Sequence, residues 1–157
     1  MTEIEKTLRF EGGYVNDPND AGGETNFGIS KRQYPNVDIA NLTPESAAAI
    51  YQRDYFEAMN LGGITSKRVR WKAFDIGVNA GQKTAAVILQ IVIGAPSDGV
   101  VGAKTVAMVN LVPEDFVLDS LALIQAIRYN GIALRKPDQK RFLNGWLTRA
   151  NDKGEGL

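Results

Sequence analysis

The chain has 157 residues, 44% of them apolar and 23% charged, with a formal net charge of zero. Those proportions fit one globular domain able to bury a core of its own. It contains neither cysteine nor histidine, which excludes disulfide frameworks, thiolate nucleophiles, Ser-His-Asp triads and histidine-ligated metals, and leaves carboxylates as the main acid/base groups.

Thr2, with Glu5 three residues later, makes a capping-box pattern, and Gly12-Gly13 closes the helix it opens. Ile4, Leu8 and Glu11 fall at i, i+4 and i+7, so a carboxyl group shares the apolar stripe. There, desolvation and the negative end of the helix dipole both disfavour its charged form, the direction a general acid needs. The alternative is a frayed last turn with Glu11 in water. Asn16-Asp17-Pro18, Asn19-Asp20 and Ala21-Gly22-Gly23 follow, dense turn chemistry between short β-prone pieces. Residues 14–29 therefore read as a small hairpin-like lobe carrying Asp17, Asp20, Glu24 and Thr25. An EF-hand reading fails, because Ala21 and Gly28 stand where that loop needs oxygen ligands.

From residue 30 the chain reads as helices. Thr43-Pro44-Glu45 is a start signal, and an apolar stripe through Ala47, Ile50, Tyr51 and Tyr55 runs to Met59. Ser66 caps the next helix, with Val69, Ala73, Phe74, Ile76 and Gly77 inward and Lys67, Arg68, Arg70 and Lys72 toward water. Asn79-Ala80-Gly81 ends it. Thr84 to Ile93 is apolar enough to be the central buried helix. Asp98-Gly99-Val100-Val101-Gly102 is a turn before a short helix over 103–110. Pro113 opens the longest helix, acidic in its first turn and basic in its last, about 34 Å long at ~1.5 Å per residue. Pro137 stops it, Lys140 to Asn151 is a final helix, and residues 153–157 read as a frayed tail. The expected fold is mainly α, one domain over 1–157 with a small β-hairpin lobe.

Charge is unevenly spread. Residues 1–62 hold ten acidic and five basic side chains, and residues 63–157 hold eight and thirteen. An acidic region beside a basic groove suits a polymer of mixed or anionic character. No phosphate loop or RNA-binding signature accompanies the basic residues, so nucleic acid is not expected. The N-terminus is polar and the longest aliphatic run is too short to span a bilayer. The expectation is a monomer made in the cytoplasm without a signal peptide or stable membrane insertion.

Carboxylates without histidine point to glycoside cleavage, which needs an acid and a base or nucleophile on opposite sides of the scissile bond. Glu11 is the natural proton donor, Asp20 the leading second carboxylate, and Thr25 could hold a water from the same lobe. Asp75 and Asn79, i and i+4 on one helix face, are candidates to line a groove, although Asn79 also suits a helix end. Tyr14 and Tyr55 are candidate sugar-stacking rings. Trp71 and Trp146 are assigned to packing. The Asp98 turn is read as structural, with a sugar contact as its alternative.

Glu11-Gly-Gly-Tyr-Val-Asn-Asp-Pro18 followed by Asp20-Ala-Gly-Gly-Glu-Thr-Asn-Phe-Gly-Ile29 resembles the signature of glycoside hydrolase family 108, a group of bacterial and phage N-acetylmuramidases. The likeness continues in Ile50-Tyr-Gln-Arg-Asp-Tyr-Phe56. Phe74-Asp-Ile-Gly-Val-Asn-Ala-Gly81, Leu89-Gln90, Asp98 to Thr105 and Gly145-Trp-Leu-Thr-Arg149 resemble the peptidoglycan-binding segment usually joined to that catalytic region. The resemblance implies a lysozyme-like helical fold, with a catalytic segment over 1–62 and a peptidoglycan-binding segment over 63–157. It also implies cleavage between N-acetylmuramic acid and N-acetylglucosamine, with Glu11 as the catalytic glutamate. The order Glu11, Asp20, Thr25 resembles the acid–aspartate–threonine arrangement of phage lysozymes, with a shorter final gap. Phe56 stands where members of the family often carry tryptophan, which keeps an aromatic wall without the indole donor. A phage or prophage endolysin acting on the periplasmic wall after release, with no cofactor or metal, is the expectation. A lytic transglycosylase and a non-catalytic wall-binding or secretion-assisting module are its rivals.

Overall fold

The computed structural model describes residues 1–16 and 23–157. Among these residues are seven α-helices and one two-stranded antiparallel sheet, the lysozyme-like helical architecture with a hairpin. Helix α1 (Glu3–Leu8) begins with the expected capping box: Thr2 accepts from the Glu5 N–H while the Glu5 carboxylate accepts from the Thr2 N–H. It stops at Leu8, with Arg9 as its C-cap, so Glu11 sits on a bend beyond the helix and not on its last turn.

The lobe is a minimal hairpin, β1 (Thr25–Asn26) and β2 (Ile29–Ser30), with Asn26 opposite Ile29. Its two-residue loop, Phe27-Gly28, has positive φ at both positions (50° and 74°), as a type I′ hairpin turn requires. Val15 pairs with Thr25. The buried Asn26 amide donates to the Ile39 and Leu42 carbonyls, pinning the hairpin to the body.

Helix α2 (Pro44–Tyr51) starts at Thr43 as expected, with a Thr43–Ser46 capping box, and runs directly into a π-helical turn, Gln52–Glu57. Such turns are rare and frequent at functional sites. A 3-10 turn, Leu61–Gly63, leads to α3 (Lys67–Ala80), capped by Ser66. Then follow α4 (Gln82–Val92), α5 (Ala103–Val109), α6 (Glu114–Arg135), a 3-10 segment (Pro137–Phe142) and α7 (Leu143–Asn151).

The central helix is α3, not the Thr84–Ile93 segment. It packs against α1, α4 and α6 and buries every residue from Trp71 to Gly77, whereas Ile91 of α4 is exposed. Lys72, expected in water, is fully buried. Its ammonium donates to the Arg149, Ala150 and Asp152 carbonyls, so a cation meets the orphan oxygens at the negative end of α7. Burial, opposed by the charges of Asp75 and Asp152, lowers its pKa to about 8.

The tail is not frayed. Lys6 binds the Asp152 carboxylate at 2.8 Å and the Glu155 carbonyl at 3.0 Å. Arg68 donates to the Lys153 carbonyl, and Gly154 is buried against Arg68. The Lys6 and Lys72 ammonium groups lie 4.8 and 5.5 Å from the Trp71 ring. Both ends of the chain are thereby fastened to α3. No helix among the described residues is long and apolar enough to cross a membrane.

Candidate active site

Three distant charged residues meet behind the bend after α1. Asp75, on α3, is fully buried. The Arg149 guanidinium, from α7, straddles it, with Nε donating to both carboxylate oxygens (3.0 and 3.1 Å) and Nη2 to Oδ1 (2.7 Å). The same Nη2 reaches Glu11 Oε1 at 2.8 Å. Thr7 Oγ1 approaches Asp75 Oδ1 at 3.4 Å and accepts the Trp71 indole N–H at 3.0 Å. Burial works against the guanidinium's charge, but Asp75 and then Glu11 outweigh it and hold Arg149 above its ordinary range.

Glu11 is the member of the network that reaches the surface; its side chain keeps 16% of its exposure, against 0% for Asp75. Its other face meets the tip of the hairpin. A methyl group built on Gly28 would lie 2.5 Å from Glu11 Oε2 and 2.7 Å from the Tyr51 hydroxyl. Glycine at 28 thus serves twice: it accepts φ of 74° and lets the backbone approach the carboxylate. Tyr51 donates its hydroxyl to the Phe27 carbonyl at 2.9 Å, and Phe27 N–H donates to the Gly12 carbonyl at 3.0 Å. Burial, and then the neighbouring charge of Glu11, push the Tyr51 phenol up, so it stays a neutral donor. One carboxyl group is therefore fixed between an arginine behind and a turn in front.

On the Arg149 side a cleft of about 460 Å³ opens, walled by Phe10, Asn79, Phe142, Trp146 and Arg149. Arg149 lies over the Phe10 ring at 5.1 Å. A second hollow of about 350 Å³ adjoins the Asp98 turn. There Asp98 is consumed structurally, its Oδ1 accepting from Gln90 Nε2 (2.7 Å) and the Val100 N–H (2.9 Å).

A family model for glycosyl hydrolase 108 matches residues 4–81, and one for a predicted peptidoglycan domain matches residues 84–151. The chain belongs to the glycosyl hydrolase 108 family. It is similar to the structure of SagA from Brucella abortus, at 25% identity and a TM-score of 0.73, over 97% of this chain and 93% of that one. No curated protein sequence matches it significantly. The family and its peptidoglycan domain support a glycoside hydrolase directed at peptidoglycan. The two family regions meet between α3 and α4, and Arg149 crosses from the second to hold Glu11 in the first.

The candidate residues of this glycosyl hydrolase 108 protein separate accordingly. Glu11 is in the network. Asp75 is too, but as a buried anchor for Arg149 rather than a residue lining the groove. Asn79 is exposed at the cleft, with its amide nitrogen donating to the Asp75 carbonyl at 2.7 Å. Thr25 is on β1, its hydroxyl 3.4 Å from the Gly23 carbonyl. Asp20 lies outside the described residues. Tyr14 is 46% exposed and donates to Glu24. Tyr55, on the π turn, is half-buried, accepts from Gln33 and has its ring 5.4 Å from that of Tyr51. Phe56 turns inward, edge-on to Phe74 at 6.0 Å, so it serves the core and not an aromatic wall. Trp71 is a packing residue as expected, whereas Trp146 also walls the cleft. Arg149 and Gly28 join the site without being candidates from the sequence, and Tyr51, a lesser candidate for sugar stacking, joins instead as a buried donor to the hairpin tip. Of the three, only Gly28, at the tip of a hairpin without an Asn-Gly signal, marks a special backbone position.

Proposed function

We propose that the protein is an N-acetylmuramidase of the phage or prophage endolysin type, cleaving peptidoglycan between N-acetylmuramic acid and N-acetylglucosamine. Glu11 protonates the glycosidic oxygen. The observation that carries the reading is the clamped Glu11 carboxyl, one oxygen on Arg149 and the other facing Gly28. Asp75 balances the Arg149 charge, so a proton on Glu11 leaves the buried cluster neutral. Once that proton is given up, Arg149 is already in hydrogen-bond contact with the anion, which needs no reorganisation. Asp20 is the proposed second carboxylate, steadying positive charge at the sugar or directing water, with Thr25 assisting. Tyr14 and Tyr55 are proposed to contact the glycan.

Digestion of purified walls by wild type and Glu11→Gln, with product ends read by mass spectrometry, tests this. Reducing muramic ends from wild type are expected, with a loss on the order of 10²–10⁴ in rate for the variant. Anhydro-muramic ends would make it a transglycosylase, and reducing glucosamine ends a glucosaminidase. Equal rates would remove Glu11 from the mechanism. Wall binding without cleavage would favour a non-catalytic module.

A further inference from the structure

The cleft beside Arg149 does not end at Trp146. Beyond it lies a further hollow of about 340 Å³, sharing Asn79 and Trp146 with that cleft and bordered by Arg128, Lys136 and Gln139. Through these shared residues the two hollows adjoin as a trough on the Arg149 side of the site. Among the described residues, no carboxylate lines either part. The cations there are Arg128 and Lys136 from the α6 end, Arg141 before α7, and Arg149. Arg149 is committed to Asp75 and Glu11, whereas no carboxylate salt bridge occupies the other three among the described residues.

The floor is aromatic. Trp146 is half-buried and backed by Tyr129, whose ring is stacked at 5.4 Å and 28°. Phe142, 45% exposed, lies 6.0 Å from Trp146, and Phe10 is 37% exposed at the Glu11 end. The C–H face of a pyranose fits the electron-rich face of such rings. Asn79 has its amide nitrogen tied to the Asp75 carbonyl, which turns its amide oxygen outward as an acceptor suited to an acetamido N–H.

We infer that this trough binds a muramic acid unit together with its stem peptide. The aromatic floor and Asn79 take the sugar, and Arg128, Lys136 and Arg141 take the peptide carboxylates. An uncharged glycan would need the floor alone; three cations without a carboxylate partner among the described residues, one of them (Arg141) resting over the Phe142 ring at 4.7 Å, call for an anionic substituent. The inference rests on the peptidoglycan reading above and adds to it a preference for peptide-bearing strands over stripped ones.

Titration calorimetry with glucosaminyl-muramyl disaccharide probes tests it. One probe carries an acidic tetrapeptide, and the other carries the same peptide with its carboxylates amidated. Both lack the internal muramic–glucosamine bond, so binding is read independently of cleavage, and the wall-digestion assay separately reports whether the muramidase reading stands. Wild type should bind the acidic probe about tenfold more tightly, as three solvent-facing ion pairs would give, and added salt should shrink the difference. Arg128→Gln combined with Lys136→Gln and Arg141→Gln should abolish the preference while leaving the amidated probe's affinity unchanged. Lys136→Gln with Arg141→Gln, both at exposed positions, should reduce it without any risk to folding. Equal affinity of wild type for the two probes, no measurable binding of either, or a preference that survives the triple variant would each overturn the inference.

Discussion

Two buried polar hubs organise this protein, and they are built on opposite plans. Around Gln90, a neutral amide donates to Asp98, the Val100 carbonyl and Thr105, and accepts from the Gly99 N–H. All its partners lie within fifteen residues, and all are spent on holding one turn. Around Arg149, a charged fork joins residues from three distant helical regions, and one of its partners, Glu11, is left at the surface. A closed hub stabilises; an open one holds a reactive group in place. Both are satisfied, so what separates them is the destination of the last hydrogen bond.

Breaking the open hub should have the largest effect. Arg149→Met leaves Asp75 buried and unpaired, a loss of about 3–5 kcal/mol by denaturant titration, and releases Glu11 from its clamp. Wall digestion should fall even at temperatures where the variant remains folded. Retained activity in the folded variant would show that Arg149 matters to the fold alone.

Gly28→Ala sharpens the same contrast from the other side. The added methyl must fit where Glu11 and Tyr51 already sit, and a non-glycine residue at φ of 74° costs about 1–2 kcal/mol. The expected signature is a drop in kcat well beyond what the modest fall in stability explains. A variant with unchanged turnover would mean that the hairpin tip does not position the carboxyl.

Gln90→Met is the counterpart in the closed hub. It orphans the Gly99 N–H and leaves the Val100 carbonyl and the buried Thr105 hydroxyl only their long contact with each other (3.5 Å), so about 1–2 kcal/mol should be lost. Turnover at moderate temperature should be untouched. A fall in kcat matching that of Gly28→Ala would erase the distinction between the hubs.

The same contrast explains what is legible in the sequence. Helix starts at Thr2, Thr43 and Ser66 can be read because caps act over three residues, and the one at Pro113 because proline and an acidic first turn are local signals too. The Asp98 turn reads as structural for the same reason. Glu11 stands out by residue type and motif, but its setting does not, because Arg149 is 138 residues away and nothing local reports that pairing. Asp75 looks like a groove residue on its helix face; only the fold shows that the groove side of that helix is filled by Arg149. Lys72, in a run of basic residues, resembles a solvated face until α7 supplies its carbonyls, and the tail looks loose until Lys6 and Arg68 hold it. The π turn after α2 has no sequence signal of its own. Long-range charge pairing is what sequence periodicity cannot express.

Lys72 gives the smallest and most selective prediction. It holds the end of α7, and therefore the backbone from which Arg149 reaches back. Its pKa is about 8 in the folded protein against 10.5 for an ordinary lysine. Below about pH 8 both folded and unfolded chains carry the proton. Between about 8 and 10.5 the unfolded chain binds more protons, so this group's contribution to stability rises with pH and levels off above that window. Buried Tyr51 and Tyr129, with raised phenol pKa values, act oppositely as the unfolded phenols ionise near about 10. The comparison is therefore cleanest between about pH 8 and 9.5. Lys72→Met should be less stable than wild type throughout, because three carbonyls lose their donor, and the gap should widen over that interval as only wild type gains. Urea midpoints at about pH 7, 8.5 and 9.5 for the two proteins decide it. A constant gap would mean that the three carbonyls keep the ammonium charged through the whole range, and that α7 is held by a cation at every pH at which the enzyme works.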